Sequence, residues 1–184
     1  MTAPDRAAAA ALDRADPLAS FRDAFALPEG VIYLNGNSLG PLPRAAVARV
    51  ADAVAREWGE GLVTSWNRAG WFDLPYRLGD MIAGLIGAAP GEVVMTDGAG
   101  IDLFKTVAAA LALRPDRRVV VMEGSNFPTD NYVVQGLIGW LGRGHEIRFV
   151  EGAAIAGAID EEVAAVVLTH VHYRHGHILD MPGL

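Results

Sequence analysis

The fold is decided by Val119-Val120-Val121-Met122, followed one residue later by Gly124-Ser125-Asn126-Phe127-Pro128-Thr129-Asp130. The β-branched run predicts a buried parallel strand. Pro128, Thr129 and Asp130 predict a helix start directly after it. In open α/β sheets, ligands bind outside the carboxyl ends of the strands. An aromatic ring beside a carboxylate at that place suits a flat, polar, heteroaromatic ligand, so this stretch is a candidate site.

The strand-and-helix pattern continues along the chain. Helices of about 10–15 residues separate the strands, and this alternation predicts βαβ units. A short acidic helix is expected near residues 160–162. Strands are predicted at residues 31–34, 92–95, 118–122, 146–150 and 163–168. The expected fold class is α/β, with a mostly parallel sheet and flanking helices.

Composition narrows the class of protein. The 184-residue chain has a formal net charge of −7 and no cysteine. The negative charge argues against a nucleic-acid binder. The lack of cysteine removes disulfides, thiolate metal sites and a cysteine nucleophile. Since no segment approaches the roughly 18 apolar residues of a membrane helix, we expect a cytoplasmic protein with no nucleic-acid or membrane partner.

Two short segments allow both a functional and an ordinary structural interpretation. Residues 96–100 (TDGAG) form a glycine-containing turn that suits either phosphate binding at a helix start or a plain tight loop. Phe127 and Asp130 suit either a ligand site or a core ring with a helix-capping carboxylate. From these residues alone both interpretations stay open.

The histidines and the lone lysine carry weaker signals. His170, His172, His175 and His177 resemble the zinc loop of metallo-β-lactamase-type hydrolases. The acidic residue expected before the third histidine is replaced by Arg174, and a cation disfavours zinc there. Lys105 invites a Schiff-base interpretation, but its place within an apolar helix favours a solvated lysine.

A set of motifs occurs in order along nearly the whole chain from about residue 30. They are residues 33–40 (YLNGNSLG), 64–66 (TSW), 102–105 (DLFK), 126–130 (NFPTD), 135–137 (QGL) and 169–173 (THVHY). Together they resemble kynureninase, a family of pyridoxal-phosphate enzymes of the aspartate-aminotransferase fold type. The resemblance implies a fold-type-I architecture, with residues 1–70 as the N-terminal arm and part of the small domain. Residues 71–184 would be the first part of the cofactor-binding large domain.

The resemblance also implies roles for individual residues. Phe127 would stack on the pyridine ring of pyridoxal 5′-phosphate, and Thr169 would contact the cofactor from the end of its strand. Ser38 and Trp66 would shape the substrate pocket, which in the family lies at a homodimer interface. The other implied cofactor-binding residues are Pro128, Thr129 and Asp130 beside the ring, and Ala99 and Gly100 at the phosphate position. Ala99 and Gly100 offer only backbone N–H groups where the family usually has hydroxyls.

The implied activity is hydrolysis of L-kynurenine or 3-hydroxykynurenine to anthranilate or 3-hydroxyanthranilate and L-alanine, in tryptophan breakdown. The family's Schiff-base lysine and the aspartate that pairs with the pyridine nitrogen have no counterpart here, so no catalytic residue is assigned. Residues 180–184 resemble an interrupted helix start. We therefore expect an N-terminal fragment that is poorly stable and inactive by itself.

Three alternatives stay open at this point. A related fold-type-I enzyme, such as a desulfurase-like lyase, could share this half of the fold. A zinc hydrolase could use the histidines of residues 170–177. The third alternative is a non-catalytic binding remnant.

Overall fold

The computed structural model describes residues 5–184. The chain divides into two compact units, one ending at Val94 and the other comprising Met95–Leu184. Within the described residues, no helix is both long and apolar enough to cross a membrane. The domain boundary expected near residue 70 remains a prediction.

Helices dominate the first unit. Its regular elements are α1 (Arg6–Ala15), β1 (Phe25–Ala26), β2 (Leu42–Pro43), α2 (Arg44–Asp52), α3 (Ser65–Arg68) and α4 (Leu74–Ile86). Asp5 caps α1 by accepting a hydrogen bond from the Ala8 N–H at 2.8 Å. Strands β1 and β2 form a short antiparallel pair. Helix α2 continues as a π-helical stretch, Ala53–Trp58.

Two predicted strands are absent. Residues 31–34 have no regular structure, and Ile32 and Leu34 are 84% and 87% exposed. Residues 92–95 are likewise outside any strand. A strand needs a neighbour for its backbone N–H and C=O groups, and no segment of residues 5–184 pairs with either stretch. Both predictions were wrong for this structure, because apolar residues alone do not supply a pairing partner.

The second unit contains the predicted parallel sheet. Its regular elements are α5 (Ala99–Leu113), β3 (Val119–Glu123), α6 (Pro128–Leu141), β4 (Glu146–Val150) and β5 (Val163–Val167). Strand β3 lies in the middle of a three-stranded sheet of order β4-β3-β5, and both pairings are parallel. The α/β class with a mostly parallel sheet and flanking helices is confirmed.

The core forms on both faces of β3, because successive side chains of a strand point to opposite faces. Val120 and Met122 pack on one face against Val107 of α5 and Val134 and Leu137 of α6. Val119 and Val121 pack on the other face against Ile155 and Val163. Every residue of β3 is buried, as the β-branched run predicts.

The predicted acidic helix at residues 160–162 is a turn. Helical turns lie earlier instead, at Gly152–Ala154 and Ala156–Ala158. Asp160 accepts a hydrogen bond from the Glu162 N–H at 3.0 Å and pairs with Arg148 at 2.6 Å. These contacts hold the acidic residues in a tight turn that leads into β5. A short polar side chain that accepts a hydrogen bond from the backbone two residues on favours such a turn.

The backbone of Val93 lies close to Gly79 of α4, and this close approach gives a testable prediction. A Cβ added at Gly79 would lie 1.9 Å from the Val93 carbonyl oxygen, whereas one at Gly84 would meet nothing within 4 Å. We expect Gly79→Ala to destabilise the protein by about 1–3 kcal/mol through overpacking against backbone. The matched change Gly84→Ala on the same helix should stabilise it by about 0.5–1 kcal/mol. Urea unfolding of the two variants measures both effects, and a stabilising Gly79→Ala would contradict the close approach.

Candidate functional site

Asn126 organises the chain where it leaves β3. It is 3% exposed, and its Oδ1 accepts hydrogen bonds from the Phe127 N–H at 2.6 Å and from the Thr169 hydroxyl. Thr169 follows β5, so this one side chain ties together the loops after two neighbouring parallel strands. The structure therefore brings the predicted residues Phe127 and Thr169 into one cluster at the carboxyl edge of the sheet.

Phe127 stands at the N-cap position of α6 and presents its ring to the surface. The ring is 48% exposed and meets the Tyr173 ring edge-to-face, with centroids 5.1 Å apart and planes at 72°. Such an arrangement is favourable for aromatic pairs and fixes the orientation of both rings. The core interpretation of Phe127 is thus wrong, and a fixed, accessible ring suits a flat ligand.

Asp130 occupies the first turn of α6, after Pro128 and the exposed Thr129. Pro128 suits this start because a first-turn N–H has no partner within the helix. The Asp130 backbone N–H donates to the Phe127 carbonyl at 2.9 Å. Partial burial raises the pKa of the Asp130 carboxyl. Within residues 5–184 no cation forms an ion pair with it.

Ala99 and Gly100, for which the resemblance implies phosphate binding, are the first two residues of α5. Gly98 stands at the N-cap and has no side chain to cap the helix. The first N–H groups of a helix lack intrahelical acceptors, so those of Ala99 and Gly100 face away from the helix. Both residues line a cavity of about 600 Å³ together with Tyr132 and Val133 of α6. Phe127 and Asp130 do not line this cavity.

Lys105 takes part in an ion pair. Its ammonium group contacts the Asp97 carboxylate, which also accepts a hydrogen bond from the Thr96 hydroxyl at 2.9 Å. The hydrogen bond to Asp97 raises the pKa of Lys105, and the same contact lowers the pKa of Asp97. An ammonium held in its charged form is a poor nucleophile, so the geometry supports the solvated-lysine interpretation.

The histidine loop does not form a zinc site in this geometry. Buried His172 uses both ring nitrogens: Nδ1 accepts from the backbone N–H groups of Arg174 and His175, and Nε2 lies 3.0 Å from the Ser125 carbonyl oxygen. A metal needs a free nitrogen lone pair, and His172 offers none. Across residues 5–184, no three His, Asp or Glu side chains are grouped to hold a metal ion.

Ser38 and Trp66 lie in the first unit, whereas the predicted cofactor residues all lie in the second. The Ser38 N–H donates to the Asn35 carbonyl at 3.1 Å within an exposed turn. Trp66, on α3, is half exposed and meets Trp71 edge-to-face, with centroids 6.1 Å apart. Trp71 is held by its Nε1–H, which donates to Glu57 at 2.6 Å. Both predicted residues are therefore accessible, and their place in a substrate pocket remains a prediction.

Three residues of this cluster carried little signal in the sequence. Asn126 and Tyr173 fall within the matched motifs, but nothing in their spacing shows that they contact Thr169 and Phe127. His172 falls within the matched motif of residues 169–173 and also within the misleading zinc pattern, and neither indicates its contact with Ser125. Their contacts join segments more than 40 residues apart, so only the parallel pairing of β3 with β5 could have indicated them.

Comparison with known proteins identifies several proteins that are similar to this chain. No protein-family model matches it. It is 56% identical over 184 residues to a kynureninase of Burkholderia pseudomallei (strain 1106a), covering 97% of this chain and 44% of that protein. It is 55% identical to one of Burkholderia mallei (strain SAVP1), with the same coverage. A third, from Pseudomonas fluorescens, is 53% identical over 179 residues, covering 95% of this chain and 43% of that protein.

The three matches cover nearly the same share of this chain, 95–97%. The matches leave only a few per cent of it uncovered, so they include both described units. The chain spans less than half of the length of the curated relatives it matches. Along nearly all of its own length, the chain is similar to curated kynureninases, at 53–56% identity.

Proposed function

We propose that this chain is part of a pyridoxal 5′-phosphate-dependent kynureninase. The proposed reaction is hydrolysis of L-kynurenine or 3-hydroxykynurenine to the corresponding anthranilate and L-alanine, in tryptophan catabolism. Sequence identity of 53–56% to curated kynureninases supports it. The observation that carries it is the Asn126 cluster, which fixes the exposed Phe127 ring at the carboxyl edge of a parallel sheet.

The residues present fit the cofactor. The fixed Phe127 ring matches a flat heteroaromatic ring, and the uncapped start of α5 offers N–H groups to a phosphate. The buried Nδ2 of Asn126 has no hydrogen-bond partner within residues 5–184. A buried polar atom without a partner indicates that an acceptor or a water is missing from the site. When bound, pyridoxal 5′-phosphate supplies an electron sink for cleavage beside an amino-acid α-carbon.

The proposed roles of the chain's own groups are those that the family resemblance implies. Phe127 would cover one face of the pyridine ring of the cofactor and exclude water from it. Asp130, which forms no ion pair within residues 5–184, would place its carboxylate beside the cofactor ring and there accept a hydrogen bond or face positive charge. The Thr169 hydroxyl, already fixed on Asn126, orients the loop after β5. Ala99 and Gly100 would donate backbone N–H groups to the phosphate, without a hydroxyl to assist them.

The remaining parts of the proposal concern the whole protein. Ser38 and Trp66 would line the substrate pocket. The active site would lie at the interface of a cytoplasmic homodimer, as the resemblance implies. Lys105 has no part in the reaction, because it is bound to Asp97.

Substitutions at Phe127 test the stacking role. In an intact protein that carries this sequence, Phe127→Leu keeps apolar bulk but loses the ring. It should weaken pyridoxal 5′-phosphate binding by roughly 2–13-fold, the equivalent of about 0.5–1.5 kcal/mol of aromatic interaction. Phe127→Tyr keeps the ring and is the matched control, with binding within about twofold of the parent. Equal affinities for all three proteins, measured by cofactor absorbance, would exclude stacking on Phe127.

Asp130→Asn tests whether this carboxylate is kept for function at a cost in stability. Burial raises the pKa of Asp130 in the folded state above its ordinary value of 3.8. Between these two pKa values the folded state binds more protons than the unfolded state, so the carboxyl destabilises the fold as pH rises through that window. Asp130→Asn should therefore raise the Tm at pH 7, and the gain should shrink as pH falls toward 3.8.

The same variant should lower kynurenine hydrolysis if the carboxylate serves the site. Thermal unfolding between pH 4 and 8, together with an assay of alanine release, measures both effects. A lower Tm at pH 7 would contradict the burial penalty, and it would show that the helix start stabilises the charge more strongly. Unchanged hydrolysis would remove Asp130 from the proposed site.

A further inference from the structure

His172 joins the two loops that form the candidate site. The residue is 1% exposed, although His170 and His175 of the same loop are exposed and His177 is partly exposed. Its Nδ1 lies 3.2 Å from the Arg174 backbone nitrogen and 3.3 Å from that of His175. Its Nε2 lies 3.0 Å from the Ser125 carbonyl oxygen. The ring thus contacts its own turn on one side and the loop after β3 on the other.

These partners determine which ring nitrogen carries the proton. Backbone N–H groups only donate, so Nδ1 must present its lone pair to Arg174 and His175. A carbonyl oxygen only accepts, so Nε2 must carry a hydrogen toward Ser125. The contacts therefore select the Nε2–H tautomer, which is the one that can bridge the two loops.

The backbone of His172 closes the turn that the ring stabilises. Its N–H donates to the His177 carbonyl at 3.2 Å, and its carbonyl accepts from the Gly176 N–H at 2.8 Å. Tyr173 follows directly, and its ring stacks near-parallel to the His172 ring with centroids 5.2 Å apart. Tyr173 is in turn the ring that meets Phe127 edge-to-face. His172 therefore supports Phe127 by two routes, through Ser125 and through Tyr173.

We propose that His172 is a positioning residue that fixes the Phe127 ring for stacking on the cofactor, by bridging the loops after β3 and β5 as its Nε2–H tautomer. The bridge to Ser125 ends two residues before Phe127, so loss of the bridge frees the backbone that carries the ring. The cofactor part of this inference rests on the proposed function. The bridge itself does not.

Two substitutions at His172 distinguish the contacts of Nδ1 within its own turn from the contact of Nε2 with Ser125. In His172→Asn, the side-chain oxygen can still accept from the N–H groups two and three residues on, as in an Asx turn, but it is too short to reach Ser125. In His172→Gln, the longer amide can still donate to Ser125 but caps the turn less well. His170→Asn is the control, because within residues 5–184 the side chain of His170 accepts a hydrogen bond from the Leu179 N–H, at 3.3 Å, in the same loop and forms none with the loop after β3.

The first readout needs no ligand and uses the intact protein. Long-range ¹H–¹⁵N spectra of the imidazoles should show His172 as the Nε2–H tautomer. Amide hydrogen exchange at Phe127 should accelerate roughly tenfold or more in His172→Asn, much less in His172→Gln, and not at all in His170→Asn. An Nδ1–H tautomer, or equal exchange at Phe127 in all three variants, would overturn the bridge.

The second readout is the absorbance and visible circular dichroism of added pyridoxal 5′-phosphate. We expect His172→Asn to weaken binding several-fold and to change the dichroic band, with His172→Gln close to the parent. If the unsubstituted protein binds no cofactor, the proposed function fails. The hydrogen-exchange result still tests whether His172 bridges the two loops. If exchange accelerates but affinity and dichroism stay those of the parent, the positioning role is overturned.

Discussion

The burial of β3 on both faces is the constraint on which the second unit depends. A strand in the middle of a parallel sheet has no free edge, and apolar partners cover its alternate side chains on each face. Residues that follow it must emerge at the carboxyl edge, beside those that follow β5. That arrangement brings Asn126 to Thr169 and Phe127 to Tyr173. The candidate site is therefore a consequence of strand order, with its side chains supplied by loops.

The loops at this edge are ordered by polar contacts in place of apolar packing. Asn126 and His172 are both buried, and each uses its side chain to hold the backbone of one loop against the other. Asn126 Oδ1 and both ring nitrogens of His172 have hydrogen-bond partners, and buried polar atoms that are satisfied in this way favour one arrangement of the loops. The site thereby keeps an exposed aromatic ring in a fixed orientation. Such preorganisation favours binding because less freedom is lost when the ligand arrives.

Local sequence patterns predicted the elements whose partners are also local. Residues 146–150 were predicted as a strand with the observed bounds of β4, and the first turn of α6 was placed by Pro128. Residues 31–34 and 92–95 carry a similar apolar signal but find no pairing segment within residues 5–184. Phe127 was predicted as a candidate site residue from the strand-to-helix junction, and Thr169 through the family resemblance, whereas the bridging roles of Asn126 and His172 were missed. Those roles depend on contacts between distant segments, which no periodicity in the sequence records.

The central claim is that the carboxyl edge of this sheet holds pyridoxal 5′-phosphate against Phe127. The most direct measurement is a crystal structure of the intact protein grown with the cofactor. It should show the pyridine ring parallel to the Phe127 ring and the phosphate against the N–H groups of Ala99 and Gly100. A cofactor bound elsewhere, or a Phe127 ring turned away from it with the Asn126–Thr169 contact broken, would contradict the claim.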